Sequence, residues 1–252
     1  MVYSGERNYV VIDKEWSSTM EVSGSVALVT GSSGGVGTEF VRQLIARGAA
    51  KVYAVSRSGQ APDLPQVVGI KLDITDSAAV ENAGSQLRDV QLLVNNAGIA
   101  TGESLVSGDL NEIRREFETN VFGGLSLAQA FAEHLKNNGG GAVLNVLSAA
   151  SWFSAPGATS YAASKAAAWS ATDGLRMELA SRGTQVLGLH MAVVDAGMGA
   201  ALEGEKTSVA DVVSQALDGL ESGATEVIVD DLTRQVKAGL SAVPAERYAG
   251  LI

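Results

Sequence analysis

The sequence predicts an α/β protein, a doubly wound parallel sheet of about seven strands with helices covering both faces. Three observations carry this reading. Short runs rich in β-branched and aliphatic residues recur along the whole chain. Between them lie longer segments whose apolar residues return every three or four positions, the spacing of a helix with one buried stripe. The short runs are apolar throughout, which suits strands covered on both sides better than strands with one wet face.

The strand runs are VALVT (26–30), KVYAVS (51–56), VVGIKL (67–72), QLLVN (91–95), AVLNVLS (142–148), TQVLGLH (184–190) and TEVIV (225–229). Helical spacing is clear in TEFVRQLIARG (38–48), and long helices are expected over 110–137 and 158–182. No repeat, low-complexity tract or Pro-rich linker divides the 252 residues, so 25–252 reads as one domain. Residues 1–24 fit no repeating unit and read as an N-terminal extension, with an extra strand at YVVID or a chain start at Met20 as the alternatives.

Composition narrows the chemistry. The chain has no cysteine, which removes disulfides, thiolate metal sites and cysteine nucleophiles. Two histidines, His134 and His190, are too few for a multi-histidine metal centre. His190 ends a buried strand and reads as a core histidine. A net charge of −10 without a Lys/Arg cluster argues against nucleic acid and anionic membrane as partners. No apolar run reaches the roughly 18 residues of a membrane span, and the N-terminus lacks the basic-then-apolar order of a signal peptide, so a cytoplasmic protein is expected.

The first strand runs into TGSSGGVG, Thr30 to Gly37, and then into a helix. Unpaired backbone N–H groups and the positive end of the helix dipole meet there, which makes an anion site. Glycine lets the backbone approach a pyrophosphate closely, so this Rossmann-type strand–turn–helix is expected to hold a dinucleotide.

The spacing T-G-x-x-x-G-x-G, with Gly31, Gly35 and Gly37 in the motif positions, resembles the short-chain dehydrogenase/reductase family, and the resemblance extends from about residue 24 to residue 240. It assigns Ser33 and Val36 of the loop, Asp73 in LDITD, and Asn96, Ala97 and Gly98 in NNAG to the cofactor, with Asp73 facing the adenine. Cofactor choice can be read from the end of the second strand. An acid there would accept from ribose hydroxyls and reject a 2′-phosphate. The chain has Ser56 at that point and Arg57 beside it, and a guanidinium grips phosphate. NADP(H) is therefore expected over NAD(H).

Tyr161 and Lys165 stand at i and i+4 in SYAASK and so share a helix face. The spacing by itself also fits a solvated lysine beside a tyrosine. Ser148, thirteen residues before Tyr161, and Asn120 in NVFG complete the four catalytic positions of the family. Carbonyl reduction needs a proton donor and a stabiliser for a developing alkoxide. An ammonium about 4 Å from the phenol would supply about 4 kcal/mol toward ionising it at an effective dielectric of about 20. The resemblance makes Tyr161 the proton donor, Ser148 the holder of the substrate oxygen and Lys165 a partner of the nicotinamide ribose. Asn120 would support a water-linked proton relay.

The chain departs from the family after the sixth strand. Met191 and Ala192 replace Pro-Gly, and Ala196 stands in place of a threonine near the cofactor. Backbone groups of Val194 remain able to meet the nicotinamide. Looser cofactor binding or a more mobile lid over 196–208 is the expected consequence. Ala150, Trp152, Phe153, Ala155, Met191 and Met198 are the expected substrate wall, nearly all apolar, with Trp152 and Phe153 equally readable as core. The resemblance also implies a homodimer or homotetramer built on the long helices. These features describe an oxidoreductase acting between NADP(H) and an apolar or aromatic carbonyl or its secondary alcohol. The alternatives are a non-catalytic NADP(H)-binding regulator and an NAD-dependent alcohol dehydrogenase.

Overall fold

The computed structural model describes residues 19–196 and 206–249. Seven strands form one sheet: β1 (Val26–Thr30), β2 (Lys51–Ser56), β3 (Val67–Lys71), β4 (Leu92–Asn95), β5 (Ala142–Val146), β6 (Gln185–His190) and β7 (Glu226–Ile228). Their order is β3-β2-β1-β4-β5-β6-β7 and every pair is parallel. The chain builds outward from β1 to β3 and then returns to place β4 on the other side of β1. That reversal opens a crevice at the carboxyl ends of β1 and β4, where doubly wound sheets bind ligands.

Strand side chains alternate between two cores. Ala27 and Val29 of β1 join one with Phe40 and Leu44 of α1 (Gly35–Ala46) and Val213 and Leu217 of α6 (Val209–Glu221). Leu28 joins the other with Val80 of α2 (Ser77–Gln86) and Phe131 and Leu135 of α4 (Gly123–Asn137). Both faces are thus dry over the central strands β1, β4 and β6, which is why those strands carry no polar alternation, while β3 at the sheet edge is partly exposed. Met20 and Val22, inside the stretch read as an extension, are buried in the first core; the YVVID segment lies outside the described residues.

The helix expected over 110–137 is not continuous. It consists of α3 (Leu110–Phe117), a π-helical turn (Glu118–Phe122) and α4. A π turn inserts a residue into the helical ladder, and such turns concentrate at functional sites. The other long helix, α5, spans Thr159–Ala180. The last helix beyond β7 that bears on the site is α7 (Asp231–Ala238).

Candidate active site

The glycine loop is shaped by close backbone contact. Gly31 has φ +65°, a left-handed conformation that side chains disfavour, and a Cβ on Gly37 would lie 2.2 Å from the Gly31 carbonyl oxygen. Gly34, at the N-cap of α1, offers no capping side chain, and the first turn holds no acidic residue. The N-terminal amides of α1 are therefore left for an outside acceptor, which is what a pyrophosphate supplies. Ser33 and Gly35 are exposed here and Val36 is half-buried.

Thr30 ties this loop to the end of β4. Its Oγ1 donates to the Val94 carbonyl at 3.3 Å and accepts from the Asn96 and Ala97 amides, each at 3.0 Å. Asn96 Nδ2 returns a bond to the Thr30 carbonyl at 2.8 Å. Across the crevice, Arg57 is exposed past the end of β2, and Asp73 is exposed past the end of β3. Thr75 donates to Asp73 from its backbone N–H and its hydroxyl, and with the nearby Arg57 charge this holds the Asp73 carboxyl below its ordinary value.

The π turn presents Asn120 between two elements. Its Nδ2 donates to the Ile99 carbonyl and to Ser164 Oγ, both at 2.9 Å, and its Oδ1 accepts the Ile99 amide at 2.8 Å. Ser164, one turn along from Tyr161, donates onward to the Tyr161 carbonyl. Gly98 packs so closely that a Cβ there would lie 3.3 Å from Asn120 Oδ1 and 3.6 Å from Lys165 Nζ. Beneath the lysine is a cavity lined by Asn95, Thr119, Asn120, Asn145, Lys165 and Leu175 among others. Asn95 Oδ1 is buried there without a partner among the described residues, so the cavity offers an acceptor to water.

Lys165 is 5% exposed, donates to the Val146 carbonyl at 2.9 Å and lies 5.8 Å from the centroid of the Tyr161 ring. Burial lowers its pKa to about 8. Tyr161 keeps part of its surface open to the cleft, but burial of the phenol pushes its pKa up to about 12, against a hydrogen bond with Ser148 that pulls it down. In the protein by itself, loss of solvation is the largest influence on the phenol.

Behind Ser148 lies a second cluster. His190 Nδ1 is 3.3 Å from the Ser148 carbonyl, and its ring stacks on Trp152 at 3.9 Å between centroids. Burial drives its pKa down to about 3, so it is neutral. Trp152 is 4% exposed, also meets the edge of Trp169, and lies under the Lys237 ammonium, so it packs as core. Phe153 is half-buried and stacks on Tyr248. Ala150 and Ala155 are half-buried, Met191 and Val194 are buried in the first core, and Met198 lies outside the described residues.

A bridge pairs Val194 with Thr207 through the Val193 carbonyl and the Asp195 amide, which does not use the N–H and C=O of Val194. Ala192, which stands where the family has glycine, donates its amide to Asp230 Oδ2 at 2.8 Å, and Asp230 caps α7.

A sequence model of the family described as short chain dehydrogenase matches residues 25–207. The chain belongs to the short-chain dehydrogenase family. A solved short-chain dehydrogenase from Burkholderia cenocepacia in complex with NADP is 37% identical, with a TM-score of 0.86 over 92% of this chain and 100% of that one. The 3-oxoacyl-(acyl-carrier-protein) reductase of Salmonella typhimurium is 29% identical over 217 residues, 82% of this chain and 88% of the relative. Carbonyl reductase (NADPH) 2 of Sus scrofa is 31% identical over 186 residues, 71% of this chain and 76% of its own.

This short-chain dehydrogenase brings Asn120, Ser148, Tyr161 and Lys165 to one end of the sheet, next to the glycine loop. Sequence reasoning passed over Ser164 and the tie made by Thr30. Ser164 was within reach of it, being three residues from Tyr161 on the same helical face.

Proposed function

We propose that this short-chain dehydrogenase transfers a hydride between NADP(H) and a carbonyl compound or its secondary alcohol, reducing an apolar or aromatic ketone or aldehyde. The observation that carries this is the gathering of Asn120, Ser148, Tyr161 and Lys165 at the crevice, with buried Lys165 fixed by the Val146 carbonyl and 5.8 Å from the Tyr161 ring. A phenol protonated at neutral pH can give its proton to an oxygen on which charge develops, and does so more readily the closer its pKa lies to the working pH. A bound NADPH supplies the hydride to the carbonyl carbon. Ser148 donates to the carbonyl oxygen, and Tyr161 delivers the proton to that same oxygen. Lys165, fixed by the Val146 carbonyl, would hold the cofactor ribose, and Asn120 borders a cavity through which water could restore the proton.

The amides at the start of α1 would hold the pyrophosphate, with Gly31, Gly35 and Gly37 admitting it. Arg57 would take the 2′-phosphate, since Ser56 offers no carboxylate and spends its hydroxyl on the Gln60 carbonyl. A structural relative carrying NADP and a curated relative named for NADPH support that choice. Asp73, Asn96, Ala97, Gly98 and Val194 would line the rest of the cofactor. Phe153, Ala150 and Ala155 supply a largely apolar wall for the substrate. Exposed Phe122 and Met177 on the long helices suit burial in a homodimer or homotetramer, and the same reading places the enzyme in the cytoplasm.

The test is loss of reduced-nicotinamide absorbance with a panel of apolar ketones and aldehydes. Tyr161→Phe should abolish turnover while leaving NADPH binding intact. A protein that binds NADPH and reduces none of the panel would instead be a regulator.

A further inference from the structure

His190, expected from the sequence to be a core histidine, meets the peptide of Ser148 with one edge of its ring. It is the last residue of β6, 1% exposed, and its Nδ1 lies 3.3 Å from the Ser148 carbonyl oxygen. A carbonyl oxygen has no proton to give, so Nδ1 carries the proton and donates. Nε2 is then the bare nitrogen; the Glu226 carboxylate stands 3.8 Å from it and is paired with Lys237. The strand leaves room for the ring because Gly188, two residues earlier on the same face, has no side chain, and a Cβ there would lie 3.4 Å from Nε2. The flat face of the ring stacks on Trp152 with 14° between the planes.

Ser148 stands two residues past the end of β5. The ladder to β6 goes on around it, with the Leu147 and Ala149 amides donating to the Leu189 and Met191 carbonyls at 2.7 and 2.8 Å. The peptide of Ser148 is held within its own turn, where its N–H reaches Ser151 Oγ at 3.4 Å and its carbonyl accepts the Ser151 amide at 3.0 Å. The bond from His190 ties that same carbonyl to the neighbouring strand, and among the described residues it is the one side-chain bond from β6 to this peptide. Ser148 Oγ accepts the Ala150 amide at 3.1 Å, which leaves the hydroxyl proton to be donated outward.

We propose that His190 is a positioning residue for the reaction, acting through Ser148: its Nδ1–H holds the Ser148 peptide against β6, so that the hydroxyl points at the oxygen of a bound carbonyl compound. The proposal rests on the carbonyl-reduction reading given above. A hydroxyl that must meet a reacting oxygen at hydrogen-bond distance depends on the peptide that carries it, and a misplacement of about 1 Å can cost on the order of 100-fold in rate. The competing use of the ring is its stack on Trp152, packing that another flat ring would also supply. The two uses differ in which substitution each tolerates.

His190→Asn sets an amide nitrogen where Nδ1 stood and gives up the stack; His190→Phe keeps the stack and gives up the donor. In ketone reduction by the full chain, kcat for His190→Asn should stay within about threefold of wild type and kcat for His190→Phe should fall at least about tenfold, with the Kd for NADPH unchanged in both. The reverse order, or equal losses, would overturn the proposal. If the asparagine variant does not fold, a double-mutant cycle decides: in a Ser148→Ala background, adding His190→Phe or His190→Leu should change the residual kcat by less than about twofold, because the group that His190 acts through is already gone. Losses that simply add would overturn the proposal. NMR of protein labelled with 15N-histidine, His190 being assigned by its absence in His190→Phe, should show the proton on Nδ1, and the opposite tautomer would overturn it. A protein with the Nδ1 tautomer that reduces no carbonyl would keep the bond to Ser148 and remove the reaction reading.

Discussion

Lys165 donates from Nζ to the Val146 carbonyl at 2.9 Å, so the last residue of β5 seats the ammonium that α5 carries into the cleft. Seating it there requires burial, and burial is unfavourable to the charge. The folded pKa is about 8 against an ordinary 10.5. Below pH 8 both folded and unfolded chains carry the proton, and the folded state bears the whole penalty, about 3 kcal/mol. Between 8 and 10.5 the folded lysine is neutral while the unfolded one is still charged, so the penalty fades as pH rises. Lys165→Met should therefore melt at a higher temperature than wild type near neutral pH. That advantage should shrink through the same alkaline window in calorimetry, while turnover is lost. A constant difference at all pH values would contradict this account.

Gly37→Ala tests the loop. The new Cβ would meet the Gly31 carbonyl oxygen at 2.2 Å, and that obstacle is backbone, which cannot swing aside. Overpacking of this kind typically costs about 1–3 kcal/mol. We expect a lower Tm and at least about tenfold weaker cofactor binding by fluorescence titration, since the amides of α1 are displaced together with the loop.

Arg57→Ala tests the choice of cofactor. Arg57 is exposed and makes no hydrogen bond within the described protein, so its removal should leave the fold unchanged. Charge-assisted bonds to a phosphate are worth about 1.5–3 kcal/mol, so kcat/KM for NADPH should drop by roughly 10- to 100-fold with that for NADH nearly constant. Equal losses with both cofactors would remove Arg57 from the 2′-phosphate site.

Ala196→Thr tests the departure from the family after β6. A hydroxyl restored beside the exposed Asp195 should tighten the Kd for NADPH, read by isothermal titration. No change in Kd would show that the loop does not reach the cofactor in this chain.

Much of this was legible in the sequence because it depends on local spacing. The seven strands begin within a residue of where apolar runs begin, and in the central strands burial on both sides leaves little polar interruption. The glycine loop could be read because only glycine fits a φ of +65° and an approach of 2.2 Å, and both demands arise within eight residues. Tyr161 and Lys165 share a face by helical period alone. The break at Glu118–Phe122 was not legible, because ETNVF carries no proline and its apolar spacing runs through the turn without interruption. Asn120 in that turn grips Ile99 and Ser164, tertiary contacts that local spacing does not announce.

The sequence by itself determined the fold, the family resemblance and the identity of the four residues at the crevice, all of which follow from periodicity and from motif residues a few positions apart. Tertiary structure alone decided their electrostatics. How readily Tyr161 ionises depends on how deeply the phenol is buried and on where Lys165 finds its carbonyl. Desolvation and Coulomb energies are functions of distance through space, and distance along the chain does not encode them.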